Sequence, residues 1–131
     1  MIDWTNSEFL SSEGMWRFLI EGYDLEVLVA GSAERPVPER VVFAKAVEKN
    51  LDDILKNAII YLNAFVDFTK LGSQGKWYPQ ALEFGRRKED PADEFVLLLT
   101  LDNDIYGFWY VKHKTFQSER ISPIAFEREQ R

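Results

Sequence analysis

The residues best suited to chemistry lie just after a run of rings. In "IYGFWYVKHK" (Ile105 to Lys114) four aromatic side chains fall within five residues, and the sole histidine, His113, follows between Lys112 and Lys114. Histidine titrates near neutral pH and suits acid–base or metal chemistry. The flanking cations push it towards its neutral form, and no serine with a local nucleophile signature stands ready to use it. With one histidine and no cysteine, a metal site would have to be built from carboxylates. Asp102-Asn103-Asp104 has calcium-ligand types but lacks the downstream glycine and bidentate glutamate of a calcium loop. The same residues form hairpin turns. Asp52-Asp53, Asp90 and Asp93-Glu94 are candidates for an acid–base pair, though their spacing does not bring them together. Arg86-Arg87-Lys88 offers a phosphate contact, but Glu89 and Asp90 follow at once. "LGSQGKWYP" lacks the spacing of a phosphate-binding loop, so Gly72 and Gly75 read as a cap and a turn. His113 is therefore read as an exposed, inert side chain at a strand end. No catalytic residue, metal ligand or cofactor is assigned, and the chain is read as non-enzymatic.

The elements that must position these residues follow from pattern. Trp16–Ile20 and Leu25–Ala30 read as two strands joined by a turn at Glu21-Gly22-Tyr23-Asp24. "AERPVPER" breaks the chain, and Pro38 suits the first turn of a helix. From Glu39 to about Phe68 there is no glycine or proline. Phe43, Val47, Leu51, Ile54, Ala58, Leu62 and Phe65 recur at spacings of three and four, one continuous helical stripe. Asn50, with Asp52 and Asp53 in the next turn, offers a break, but the unbroken stripe favours one long curved helix. A helix of about 30 residues is roughly 45 Å long and has to bend around whatever sheet it covers.

Beyond it, "WYPQALEFGR" is a strand with Pro79 at an edge or an early position. "EFVLLLTLDNDIYGFWYVKHK" is a hairpin, and "SERISPIAFER" a last strand. The order is ββ-α-ββββ, an α+β fold. An antiparallel sheet of about six strands with one long helix across one face buries this pattern most simply, and residues 1–131 form a single domain.

If Asp102-Asn103-Asp104 is a three-residue loop, Leu101 faces Ile105 across the hairpin. One face then carries Leu97, Leu99, Trp109 and Val111 and suits the helix, packing against Leu51, Ile54, Ala58 and Leu62. The other carries Val96, Leu98, Tyr106, Phe108 and Tyr110, with Glu94 opposite Lys112. The helix cannot cover that second face. Its rings are expected to be partly covered by the end strands and partly left as a binding patch.

Composition narrows the partner. The chain is 46% hydrophobic, 29% charged and 15% aromatic, with net charge −6. Residues 1–34 hold seven acids and one base, Arg17, which leaves 15 of each for the remainder. All the net negative charge thus sits in the first quarter. An acidic surface repels nucleic acid and anionic membranes and attracts a basic protein. Too few cations surround the rings for a nucleic-acid platform. The absence of cysteine fits a reducing compartment. The first residues, "MIDWTNSEFLSSEG", do not read as a secretory signal, and no apolar run is long enough to cross a bilayer. A cytoplasmic location is expected.

Taken together, the short length, acidity, missing catalytic motif and aromatic-rich α+β pattern resemble small bacterial immunity proteins and related small bacterial domains. That resemblance implies a protein that binds a cytosolic toxin domain and blocks it. The expected partner-binding residues, read from the strand faces and the charge distribution, are Tyr106, Phe108, Tyr110, Glu21, Asp24 and Glu26. A second resemblance is to cone-like folds of the cystatin or ketosteroid-isomerase kind, which implies instead a small apolar ligand in a pocket between helix and sheet.

Overall fold

The computed structural model describes residues 1–117 and 120–131. Ile2–Leu10 (β1), Met15–Ile20 (β2) and Glu26–Ala30 (β3) form an antiparallel meander. Two helices follow, Pro38–Glu48 (α1) and Leu51–Phe65 (α2), and then a short 3-10 turn, Phe68–Leu71. Trp77–Phe84 (β4), Glu94–Leu101 (β5), Gly107–Thr115 (β6) and Ile121–Gln130 (β7) form a second antiparallel meander. The two meanders meet where β3 pairs with β4 in parallel, so one mixed sheet of seven strands runs in chain order.

This corrects the expected α+β fold of about six antiparallel strands under one long helix in three respects. First, "IDWTNSEFL" is a strand. Its polar and acidic content hides it in the sequence, and a bulge between Ile2 and Ser7 interrupts its alternation. Ile2 is buried, and Trp4 packs on Phe18 at 4.8 Å between ring centroids. Second, the helix breaks at Lys49-Asn50. Asn50 leaves helical geometry, with its N–H on the Val47 carbonyl and its own carbonyl receiving the Ile54 N–H. A straight rod of roughly 45 Å would overhang seven strands spaced about 4.8 Å apart. Two shorter helices keep both halves of the stripe on the sheet. Third, the helical pair forms a crossover that returns the chain beside β3 in the same direction, so the β3–β4 ladder is parallel.

Both helices lie on one face. Ala44, Val47, Leu51, Ile54, Ala58 and Leu62 pack in one cluster with Val27, Val29, Leu82, Phe84, Leu97, Leu99, Trp109 and Val111. The hairpin faces are those expected, but its register is not. Leu99 lies opposite Trp109 and Glu94 opposite Lys114, a shift of two residues that keeps every side chain on its side. The cause is Asp104, which folds inward to accept hydrogen bonds from Trp109 Nε1 at 2.9 Å and from Arg128 Nε and Nη2 at 2.9 and 2.6 Å. This lengthens the connection to Asp102–Tyr106. Gly107 is required beneath it, since a Cβ there would lie 2.2 Å from Asp104 Oδ2.

Candidate functional site

The face of the sheet away from the helices forms an open trough. The strands contribute alternate residues to it: Leu28 and Glu26 from β3, Ala81 and Glu83 from β4, Val96 and Leu98 from β5, Phe108, Tyr110 and Lys112 from β6. Twist and three bulges curve this surface into a trough of about 850 Å³. Its floor is a small apolar cluster in which Met15, Leu28 and Ala81 are buried, with Leu10, Ala30 and Leu98 packed around them. Its walls carry seven carboxylates and four cations, so the trough is acidic even though residues 35–131 are balanced in charge.

Much of that charge is paired. Arg17 bridges Glu8 at 3.2 Å and Glu26 at 2.9 Å. Arg86 donates through Nε to the buried Glu83 carboxylate at 2.8 Å and reaches Glu13 at 3.1 Å. Lys112 Nζ lies 3.9 Å from Glu94. Asp24, Glu127 and Glu129 form no ion pair among the described residues. Glu127 stands opposite Tyr110 and Glu129 opposite Phe108 on neighbouring strands. Burial raises the Tyr110 phenol above its ordinary range, and the Glu129 carboxylate beside it adds to the rise.

Of the six expected partner-binding residues, four come together. Phe108, Tyr110, Asp24 and Glu26 all line the trough. Tyr106 stands 60% exposed in the β5–β6 connection rather than on the strand, because the longer turn withdraws it. Glu21 is exposed in the turn after β2 and does not line the trough. The end strand β7 extends the sheet beside the rings and does not cover them. Lining residues not anticipated as partner-binding are Glu83, Arg86, Glu127, Glu129 and Arg131. The alternation in "FEREQR", with acids two apart, is the signal that places Glu127 and Glu129 on one face.

His113 overturns its reading as an exposed side chain. It is buried, with its ring stacked on Phe95 at 4.8 Å and 8°, and Phe95 stacks in turn on Phe84 at 5.3 Å. Nδ1 lies 3.2 Å from the Val111 carbonyl, while Nε2 has no partner among the described residues. Burial, not the flanking lysines, pushes the imidazole down to about 4. It is a neutral core ring. Four other chemical candidates are also engaged in structure. Asp102 accepts from Ser73 Oγ at 2.6 Å and the Lys76 N–H at 2.8 Å, fixing the loop before β4. The Gln74 N–H, which also donates to it, together with the Ser73 and Lys76 bonds, holds its carboxyl below the usual carboxylate range. Asn103 takes the left-handed turn conformation at φ 64° and donates to the Gly72 carbonyl. Asp52 receives the Tyr23 hydroxyl on α2, and Asp90 receives the Arg87 N–H in its own loop. Among the described residues no group of three or more His, Asp or Glu side chains is placed to hold a metal ion.

The pocket expected between helix and sheet is not where the large opening lies. A cleft of about 200 Å³ meets α2 at Asn50, Asp53 and Asn57, while the trough is on the opposite face. No helix among the described residues is long and apolar enough to cross a membrane. No protein-family model, curated protein or solved structure matches the chain.

Proposed function

We propose that this chain is a non-catalytic protein-binding domain of the cytoplasm that docks a basic protein domain in the trough, in the manner of an immunity protein blocking a toxin. One observation carries the reading: the trough combines an apolar floor with an excess of carboxylates, and Asp24, Glu127 and Glu129 have no cationic partner among the described residues. An apolar centre with a charged rim is the arrangement that protein partners use, the centre for residence and the rim for approach. Aromatic side chains at Phe108 and Tyr110 supply contact area at small entropic cost.

Rescue tests it. Cells made to express the product of the reading frame adjoining this gene should grow when the chain is co-expressed. Reversing Asp24, Glu127 and Glu129 to Lys should remove the protection and slow association about tenfold at low salt, with circular dichroism unchanged. A non-toxic neighbour, or protection indifferent to the reversal, overturns the reading.

A further inference from the structure

The geometry points to a subsite for an arginine side chain at the β6–β7 end of the trough, a subsite that the chain's own Arg131 now fills. The inference rests on the reading of the trough as a docking face for a basic protein and specifies what part of that partner it grips. Arg131 places its guanidinium 4.5 Å from the centroid of the Phe108 ring and donates through Nη2 to Tyr110 Oη at 3.2 Å. Its backbone is held there, the N–H donating to the Tyr106 carbonyl at 2.8 Å. The molecule itself thus displays the group that this surface accepts: a planar cation stacked on a ring and reading a phenol oxygen.

The fit is incomplete, and that is what makes the resident arginine replaceable. Glu129 stands directly across the ladder from Phe108, and Glu127 from Tyr110. Neither carboxylate forms an ion pair among the described residues, and Arg131 pairs with neither. Arg131 therefore has a ring contact and one neutral hydrogen bond, in an exposed position where such a stack contributes little. A guanidinium entering from a partner can lie on the same rings and also take a carboxylate in forked geometry, a contact that Arg131 does not make. Lysine, a point charge without the planar fork, gains less from this combination. Two acids, two rings and a weakly seated internal competitor make the site selective for an arginine presented from outside.

The probe is a tri-arginine peptide, with tri-lysine as its control, titrated into the isotope-labelled protein and followed by the backbone and side-chain signals of Phe108, Tyr110, Glu127 and Glu129. The expected result is saturable shifts at these four residues, with tri-arginine favoured over tri-lysine. Arg131→Gln should tighten tri-arginine binding about fivefold, because the competitor is gone. Glu127→Gln with Glu129→Gln should weaken it at least about tenfold at unchanged fold. Arg131 and both acids are exposed, so folding is not at issue. Equal affinity before and after Arg131→Gln overturns the subsite, as do shifts centred on Asp24 and Glu26 instead. Failure of the growth rescue with this competition intact removes the toxin reading alone. Rescue that holds while Arg131→Gln leaves the peptide affinity unchanged removes the arginine subsite alone.

Discussion

The two faces of the sheet are made from alternate residues of the same strands, yet they treat polar groups in opposite ways. Along β6, Trp109, Val111 and His113 turn to the helices, and Phe108, Tyr110 and Lys112 turn to the trough. On the covered face a titratable ring is stripped of water and held neutral against Phe95. On the open face a buried carboxylate, Glu83, keeps a guanidinium from Arg86 at its side, and other acids stay in water. The covered side holds the fold together. The open side leaves charge and ring surface where another molecule can reach them.

The largest expected contrast is in stability. Trp109→Ala removes a ring packed on Trp77 at 5.3 Å and the donor that Asp104 receives, and should cost about 3–5 kcal/mol in chemical denaturation. Tyr110→Ala, one residue away on the open face, should cost only about 1 kcal/mol. Equal losses would break the distinction between the faces.

The next contrast is with pH. The folded His113 binds its proton only near pH 4, whereas the unfolded chain binds it near 6.5. The unfolded state therefore carries more protons in between, and stability falls as the pH drops from 6.5 towards 4. The full contribution is present above that window and amounts to about 3 kcal/mol. Denaturation midpoints across this range should show the loss, and His113→Phe, which keeps the stack, should flatten the profile. An unchanged profile in that variant would assign the acid sensitivity elsewhere.

A smaller difference separates ion pairs within the open face. Glu83→Ala strips Arg86 of its buried partner but leaves Glu13 beside it, and should cost about 1–2 kcal/mol. Glu94→Ala, whose pair with the half-exposed Lys112 is long at 3.9 Å, should stay within about 0.5 kcal/mol. Matching values would mean that burial of Glu83 has no energetic consequence.

The sequence carried the faces of the hairpin because parity survives a register shift of two, so Leu97, Leu99, Trp109 and Val111 were legible as core. It did not carry the register itself, which depends on Asp104 reaching Arg128 on another strand. The stripe from Phe43 to Phe65 was legible as helix, but its break at Asn50 was decided by the span of a sheet that one strand's pattern does not reveal. β1 escaped because its apolar residues are few and a bulge breaks their period. His113 was misread for a related reason. Neighbouring lysines along a strand point to the opposite face, and their charge says nothing of what surrounds the ring between them. In the candidate site, Phe108 and Tyr110 were legible from alternation. Glu127 and Glu129 were not, because their significance lies in which residues they oppose across a ladder.

The parallel seam between β3 and β4 has a consequence for how the molecule knows its own alignment. Within each meander a loop joins neighbouring strands directly and limits how far they can slide. At the seam no such loop exists, since α1 and α2 intervene. Alignment there must come from side chains alone. Sliding β4 by one residue would turn Phe84 to water and drive Glu83 under the helices, away from Arg86. An unpaired carboxylate cannot rest in that apolar layer. The buried acid of the trough is thus also a registration pin, a charge whose refusal to enter the core fixes two halves of a sheet against each other.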